Sequence, residues 1–253
     1  MKILSFNIRC PWKDRDGKND FIHRAGLIYD KIETEQPDVI AFQEVKRPTL
    51  VLLEKMLPEY AFFGTLREQD YTGEGLYTAI RRDSFSFLGT EVFWLSPTPF
   101  VPGSRFADQS KCPRICLVTN IRHHATNQVL RVMNLHLDHV SDAARRQGME
   151  CVFSFLNSYE QRQSLPTILL GDFNAEPEDG VMQACRAREG LLDVTASIPV
   201  TFHGYGTVAK KIDYIFLSES LRERVQDVEA WTDVHEGIYL SDHYPICLYL
   251  SME

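Results

Sequence analysis

TILLGDFNAEP, Thr167 to Pro177, runs four apolar or β-branched residues straight into a glycine, a carboxylate and a side-chain amide. Thr167 to Leu170 reads as a buried strand, and a strand should stop where Gly171, Asp172 and Asn174 begin. Asp172 is therefore delivered to a strand tip. Asn174, two residues on, can point the same way, giving one group to take or orient a proton and one to hold an oxygen. The same residues also suit a polar turn ahead of a helix, because Asp and Asn form turns and Glu176 and Glu178 favour a helix start. On GDFN alone the two readings balance. Four further strands that begin or end on polar groups tip the balance toward a site.

Lys2 to Asn7 is the first of these, closing on Asn7-Ile8-Arg9. A charged loop, Lys13 to Asp20, leads into a helix over Phe21 to Gln36 with Ile22, Ala25, Ile28 and Ile32 roughly on one face, stopped by Pro37. Asp38 to Phe42 reads as a buried strand ending on Gln43-Glu44, the second polar tip. A helix near Pro48 to Met56 follows, then strands near Tyr60 to Gly64, Leu76 to Arg81 and Phe85 to Leu95. Ser96 to Pro113 is rich in Pro, Gly and Ser; Trp94, Phe100 and Phe106 in or beside it suit a substrate wall. Ile115 to Ile121 and Val129 to Leu137 form a hairpin, and Asn134, His136 and Asp138 share an unusually polar face of its second strand. A helix over Ser141 to Gln163 returns the chain to Thr167, and a short helix over Glu178 to Glu189 follows it. Of the last two strands, one begins at Lys211-Ile212-Asp213 and the other at Ser241-Asp242-His243-Tyr244-Pro245. Strands alternating with helices and hairpins predict stacked sheets with helices outside. No repeat, low-complexity tract or Gly/Ser linker divides the chain, so one domain over residues 1–253 is expected.

A chain of 253 residues with 44% hydrophobic and 25% charged residues has an ordinary globular balance and can bury a sizeable core. The apolar run of MKILSFNIRCPWKD is too short for a signal peptide or a membrane span, so a soluble, cytoplasmic protein without a membrane partner is expected. Six cysteines without a CxxC pair suit reduced core thiols. A formal charge of −8 argues against a surface built to grip duplex DNA, although a local basic patch is compatible with it.

Asn7, Glu44, His136, Asp172, Asn174, Asp213, Asp242 and His243 are thus polar groups at apolar strand ends. Buried charge at that density needs partners, and an excess of oxygen ligands suits a hard cation such as Mg²⁺. FN, QE, the N-x-H strand, GDFN, IDYIF and SDHYP, in that order from Lys2 to about Leu250, resemble the endonuclease/exonuclease/phosphatase superfamily, the deoxyribonuclease I-like fold. FWLS, VPGS and PRI resemble a bacterial branch related to deadenylase-type exonucleases.

The resemblance implies an α/β fold, a four-layer α/β/β/α sandwich, and Mg²⁺- or Mn²⁺-dependent hydrolysis of P–O bonds by direct water attack. It implies that Glu44 is the principal metal-binding carboxylate, with Asn7 and Asp242 nearby, directly or through water. Asp172 and Asn174 would orient or deprotonate the water, or support a second metal. His243, oriented by Asp213, would act on the phosphoryl centre, His136 would hydrogen-bond a phosphate oxygen, and Arg114 would contact phosphate. Whether Asp172 or His243 is the base stays open. Leu135 stands where many members have Thr, and there is no leucine-rich repeat module or basic amino-terminal arm. A phosphodiester, single-stranded nucleic acid or nucleotide-like, is the expected substrate. A phosphomonoester or inositol phosphate is the alternative, and a catalytically silent binding protein the third reading. His23, His123, His124, His203 and His235 are expected to be surface or structural histidines, and His139 to lie in a solvent-exposed loop. Trp12 and Trp94 are expected to pack rather than stack on a base or sugar.

Overall fold

The computed structural model describes residues 1–11 and 16–252, so Trp12 and the start of the Lys13 to Asp20 run lie outside the described residues. In chain order the elements are β1 (Lys2–Asn7), α1 (Phe21–Glu35), β2 (Val39–Lys46), α2 (Arg47–Met56), β3 (Tyr60–Leu66) and β4 (Glu74–Arg81). Next come β5 (Phe85–Trp94), β6 (Ile115–His123), β7 (Val129–His136), α3 (Asp142–Arg162), β8 (Thr167–Asp172), α4 (Gly180–Ala187) and β9 (Leu191–Asp193). The last are β10 (Asp213–Ser218), β11 (Val225–Ala230), the two-residue strands β12 (Val234–His235) and β13 (Ile238–Tyr239), and β14 (Ile246–Leu250). One sheet runs β11-β14-β1-β2-β4-β3, and a second β5-β6-β7-β8-β10-β9.

The strand period of two sorts the core into three layers. Leu4, Phe6, Ile40 and Phe42 face outward from the first sheet onto Ile28, Ile32 and Leu53 of α1 and α2. Met133, Leu169 and Phe216 face outward from the second onto Val152, Leu156 and Met182 of α3 and α4. Between the sheets, Ile3, Val39 and Ala41 meet Val132, Ile168, Leu170 and Ile215. The architecture is therefore helices, sheet, sheet, helices, the four-layer sandwich expected. The same alternation carries Asn7 on from Ile3, His136 from Val132, Asp172 from Ile168 and Leu170, and Asp213 back from Ile215. Each belongs to the inter-sheet row of its strand.

Details of the sequence reading change. On α1 it is Phe21, Arg24, Ala25, Ile28 and Ile32 that turn inward, whereas Ile22 is 66% exposed. Arg24 is wholly buried yet satisfied: its guanidinium donates to the carbonyls of Asn19, Ile8, Leu240 and Arg9. Trp94 packs with Leu76, Ile115 and Leu117 and donates its indole N–H to the Arg67 carbonyl, so it is core rather than a substrate wall. Phe100 lies edge-on to Phe155 of α3. Asn134 is buried between the sheets, accepting from Gln43 Nε2 at 2.8 Å and donating to the carbonyls of Phe42 and Tyr77. Asp138 lies past the end of β7, where it caps the N–H groups of Val140, Ser141 and Ser110.

Candidate active site

Strand register assembles the centre. In the second sheet His136, Asp172 and Asp213 stand in one row across β7, β8 and β10. In the first, Asn7 of β1 pairs with Gln43 of β2, one residue short of Glu44. Glu44 has φ 61, a left-handed conformation that interrupts the β2–β4 ladder between Phe42 and Val45 and frees its side chain from the strand alternation. Gly171 is required by the close approach of β7: its φ is 139, and a Cβ there would lie 2.0 Å from the Leu135 carbonyl oxygen. Phe173 then anchors the tip in the outer core, and Asn174, at φ 48, closes the turn by donating its backbone N–H to Asp172 Oδ1 at 2.9 Å. Its side-chain amide donates to the Leu137 carbonyl.

A chain of contacts links the two sheets. Asn7 Nδ2 donates to Asp172 Oδ2 at 2.9 Å and to Glu44 Oε1 at 3.2 Å, and lies 3.4 Å from His243 Nε2. Its amide oxygen accepts from the Arg9 N–H, so Asn7 offers the cluster its nitrogen and steadies Glu44 rather than turning an oxygen inward. The Cys10 N–H donates to Glu44 Oε2 at 3.0 Å. His243 Nδ1 meets Asp213 Oδ2 at 2.8 Å, and its Nε2 lies 3.9 Å from Asp172 Oδ2. His136 Nε2 approaches the same Asp172 oxygen at 3.4 Å. Asp242 is held beside them by Ser241 Oγ and, at 3.5 Å, by Arg9. Thr201 fixes Asp213 by accepting the backbone N–H groups of Ile212 and Asp213.

Burial alone would lower the pKa of His243, but the carboxylates of Asp213, Asp172 and Asp242 raise it to about 10; the imidazole is a cation at neutral pH. Burial, reinforced by the charge of Asp213, raises Asp172 to about 7. Burial would raise Glu44, but the Cys10 N–H, His243 and Arg9 outweigh it and keep this carboxylate ionised. Burial and then Arg114 push His136 well below its ordinary value, so it is neutral. Among the described residues, Asp172, Asp213 and His243 have ligand atoms close enough to share an ion, as do Cys10, Glu44 and Glu74. A protonated His243 is a poor ligand, and a buried thiol a poor partner for a hard cation. The donor set that fits a hard divalent cation is oxygen: Glu44, kept ionised, and Asp242, whose pKa burial raises against the opposing pull of His243, Arg9 and Arg24.

All eight residues of the predicted constellation come together at this end of the sandwich. Arg114 is also there, 4% exposed and lining a small cavity with Glu44, His136 and Arg67. Sequence reasoning missed Arg9, Arg67 and the packing of His203. His203 is buried, stacks on Tyr244 at 4.0 Å between centroids and has no hydrogen bond to either ring nitrogen among the described residues. His139 is exposed as expected, yet its Nδ1 accepts from Arg114 at 2.9 Å.

A model of the Endonuclease/Exonuclease/phosphatase family matches residues 4–243. No curated protein matches the sequence. Among solved structures, an endonuclease/exonuclease/phosphatase from Bacteroides vulgatus is 27% identical, with TM-score 0.90, over 100% of this chain and 98% of that one. A mannosyl-6-phosphatase of Bacteroides thetaiotaomicron VPI-5482 is 26% identical, with TM-score 0.90, over 100% of both chains. D. rerio TDP2 complexed with a single-strand DNA product shares the fold at 19% identity and TM-score 0.78, over 100% of this chain and 99% of that one.

Proposed function

The chain belongs to the endonuclease/exonuclease/phosphatase family, whose members are generally phosphoester hydrolases, and from that premise we propose that it hydrolyses a phosphate ester by direct attack of water. The observation that carries this reading is the cluster in which Asn7 Nδ2 reaches Glu44, Asp172 and His243, and His243 in turn meets Asp213, brought together from five separate segments of the chain. A cationic His243 cannot take a proton, so Asp172 is the base: Asn174 N–H fixes one oxygen, and the other receives the proton of water as its oxygen bonds to phosphorus. His243, held in orientation by Asp213, donates from Nε2 to a phosphoryl oxygen, and the ester P–O bond breaks opposite the water. Neutral His136 supplies a further hydrogen bond. Glu44 and Asp242 would hold the divalent ion, which supplies charge neutralisation at the phosphoryl and leaving oxygens when bound.

The sequence alone favours a phosphodiester such as single-stranded nucleic acid. Full-length likeness to a sugar phosphatase supports the phosphomonoester as the second reading. The experiment compares a chromogenic aryl phosphate with the matching diester, in Mg²⁺, in Mn²⁺ and in chelator, with His243→Ala as the blank. Metal-dependent cleavage that falls about 10²- to 10⁴-fold in the variant is expected. Cleavage of either ester that is indifferent to both chelator and His243 defeats the reading.

A further inference from the structure

The space between the sheets is apolar for most of its length, but beside the reaction centre it is not. Ser5 of β1, Gln43 of β2, Thr78 of β4, Thr119 of β6 and Asn134 of β7 are buried there, each on the inter-sheet row of its strand. The hydroxyls of Ser5, Thr78 and Thr119 and Gln43 Oε1 have no hydrogen-bond partner among the described residues. Unpaired polar groups in a core are costly, so this layer holds the sheets together less well than packed apolar side chains would. Asn134, by contrast, is fully used, and it spans the gap. Its Oδ1 accepts from Gln43 Nε2 at 2.8 Å, and its Nδ2 donates to the carbonyls of Phe42 at 3.0 Å and Tyr77 at 3.3 Å. Gln43 gives its other N–H to the Ala41 carbonyl of its own strand at 3.0 Å, so both amides are fixed in orientation.

Where these bonds land gives them a use. Phe42 and Tyr77 are the last register pair of β2 and β4 before the interruption that carries Glu44. Asn134 stands two residues before His136 on the same row of β7, beside Leu170 as His136 is beside Asp172. One side chain thus clips the foot of the Glu44 kink to the strand that carries His136. Glu44 and Asp242 both belong to the first sheet, Asp242 leading into β14, whereas His136, Asp172 and Asp213 belong to the second. We propose that Asn134, with Gln43, is a positioning residue: it sets the offset between the sheets, and so the distance from the ion-holding carboxylates to the base Asp172. The inference rests on the hydrolase reading above and goes beyond it. Hydrogen bonds are directional and hold two faces in one register, which apolar contact alone does less sharply. Water attack tolerates little error, since a misplacement of about 1 Å costs roughly 10²-fold in rate. Because both ion-holding carboxylates ride on one sheet, releasing the tie should slow turnover and spare metal affinity.

The test removes both ends of the tie at once, because apolar replacements on both sides leave fewer orphaned groups than one alone. Gln43→Met/Asn134→Leu is compared with the parent by crystallography, by Mn²⁺ calorimetry, and by kcat and KM on whichever aryl ester the parent cuts. The 2.9 Å contact from Asn7 to Asp172, which joins the sheets directly, should be broken in the double variant. Its kcat should fall about 10- to 100-fold, with KM and the Mn²⁺ Kd each changed less than about 3-fold. Thr119→Val, which removes an unpaired hydroxyl from the same layer, should match the parent throughout. An intact Asn7–Asp172 contact, a kcat within about 3-fold of the parent, Mn²⁺ affinity falling in step with kcat, or an equal loss in Thr119→Val each overturns the proposal. Gln43→Met alone, which leaves Asn134 on both carbonyls, covers a double variant that does not fold. It should lower kcat by less, about 3- to 10-fold, again with Mn²⁺ affinity spared, and an unchanged kcat there overturns the proposal. If the parent cuts neither ester the hydrolase reading fails, and the Asn7–Asp172 contact alone decides whether Asn134 sets the offset of the sheets.

Discussion

Asp213 holds His243 by a single 2.8 Å contact, and its charge is the foremost cause that opposes burial in keeping that imidazole protonated to about pH 10. Both limbs of the activity profile follow. Asp172 must be deprotonated to accept a proton, so the rate rises with pH through about 7, and a bound cation moves that limb lower. His243 must stay protonated, so the rate falls above about 10. Asp213→Asn should bring the alkaline limb down toward the ordinary histidine range near ~6.5 and move the acid limb down as well, because the charge of Asp213 also raises Asp172, besides lowering kcat. A kcat/KM profile that keeps its alkaline limb in Asp213→Asn would assign His243 another role. His203 behaves in the opposite sense. Burial holds its pKa at about 4, so it stays neutral while the unfolded chain takes up a proton below ~6.5. Its depressed pKa therefore gives stability that is full above ~6.5 and is lost as pH falls toward about 4, up to about 3 kcal/mol. His203→Phe, which keeps the stack on Tyr244, should flatten the slope of Tm against pH across that window; an unchanged slope would show the proton uptake lies elsewhere.

At the level of elements, the site was legible because strand alternation is strict. A row such as Ile168, Leu170, Asp172 announces that a face buried for two positions ends in a carboxylate, and Ile3, Ser5, Asn7 is a buried row that ends in a side-chain amide. The strands that stayed hidden are short or lack an apolar alternation; an edge place alone hides nothing, since β3 and β5 also have one neighbour and were expected. β11, VQDVEA, leaves Gln226, Asp227 and Glu229 exposed at the sheet edge, and β9 pairs over three residues only. Neither gives a clean apolar period. Helix α1 misled for a different reason: Arg24 occupies its inner face because four backbone carbonyls from loops far apart in sequence need donors there, which no local pattern displays. Arg67 was invisible likewise. An arginine after a strand is ordinary; only the fold sets it beside Arg114. Trp94 and Phe100 show that aromatic residues near a long loop say nothing of which side they face.

Across the whole molecule, the meeting of two sheets concentrates acidic groups at one end of the inter-sheet core, where burial raises the pKa of Asp172 and of Asp242. Mg²⁺ or Mn²⁺ should therefore raise Tm in proportion to log concentration above its Kd, about 1.4 kcal/mol for each tenfold. Glu44→Gln should abolish that shift and also lower the stability of the metal-free protein, since the Cys10 N–H, His243 and Arg9 hold this carboxylate's pKa down and so favour its ionised form in the fold. Thermal scans in chelator and in metal check both halves, and an undiminished shift in Glu44→Gln would place the ion elsewhere. The pairing of β1 with both β2 and β14 has a further consequence, in time rather than in space. A chain emerging from the ribosome has Asn7 and Glu44 early, but β1 keeps an open edge until residues 246–250 arrive, only just after Asp242 and His243. Closure of the first sheet and completion of the proposed catalytic set then come together, so the set is incomplete until β14 can pair with β1.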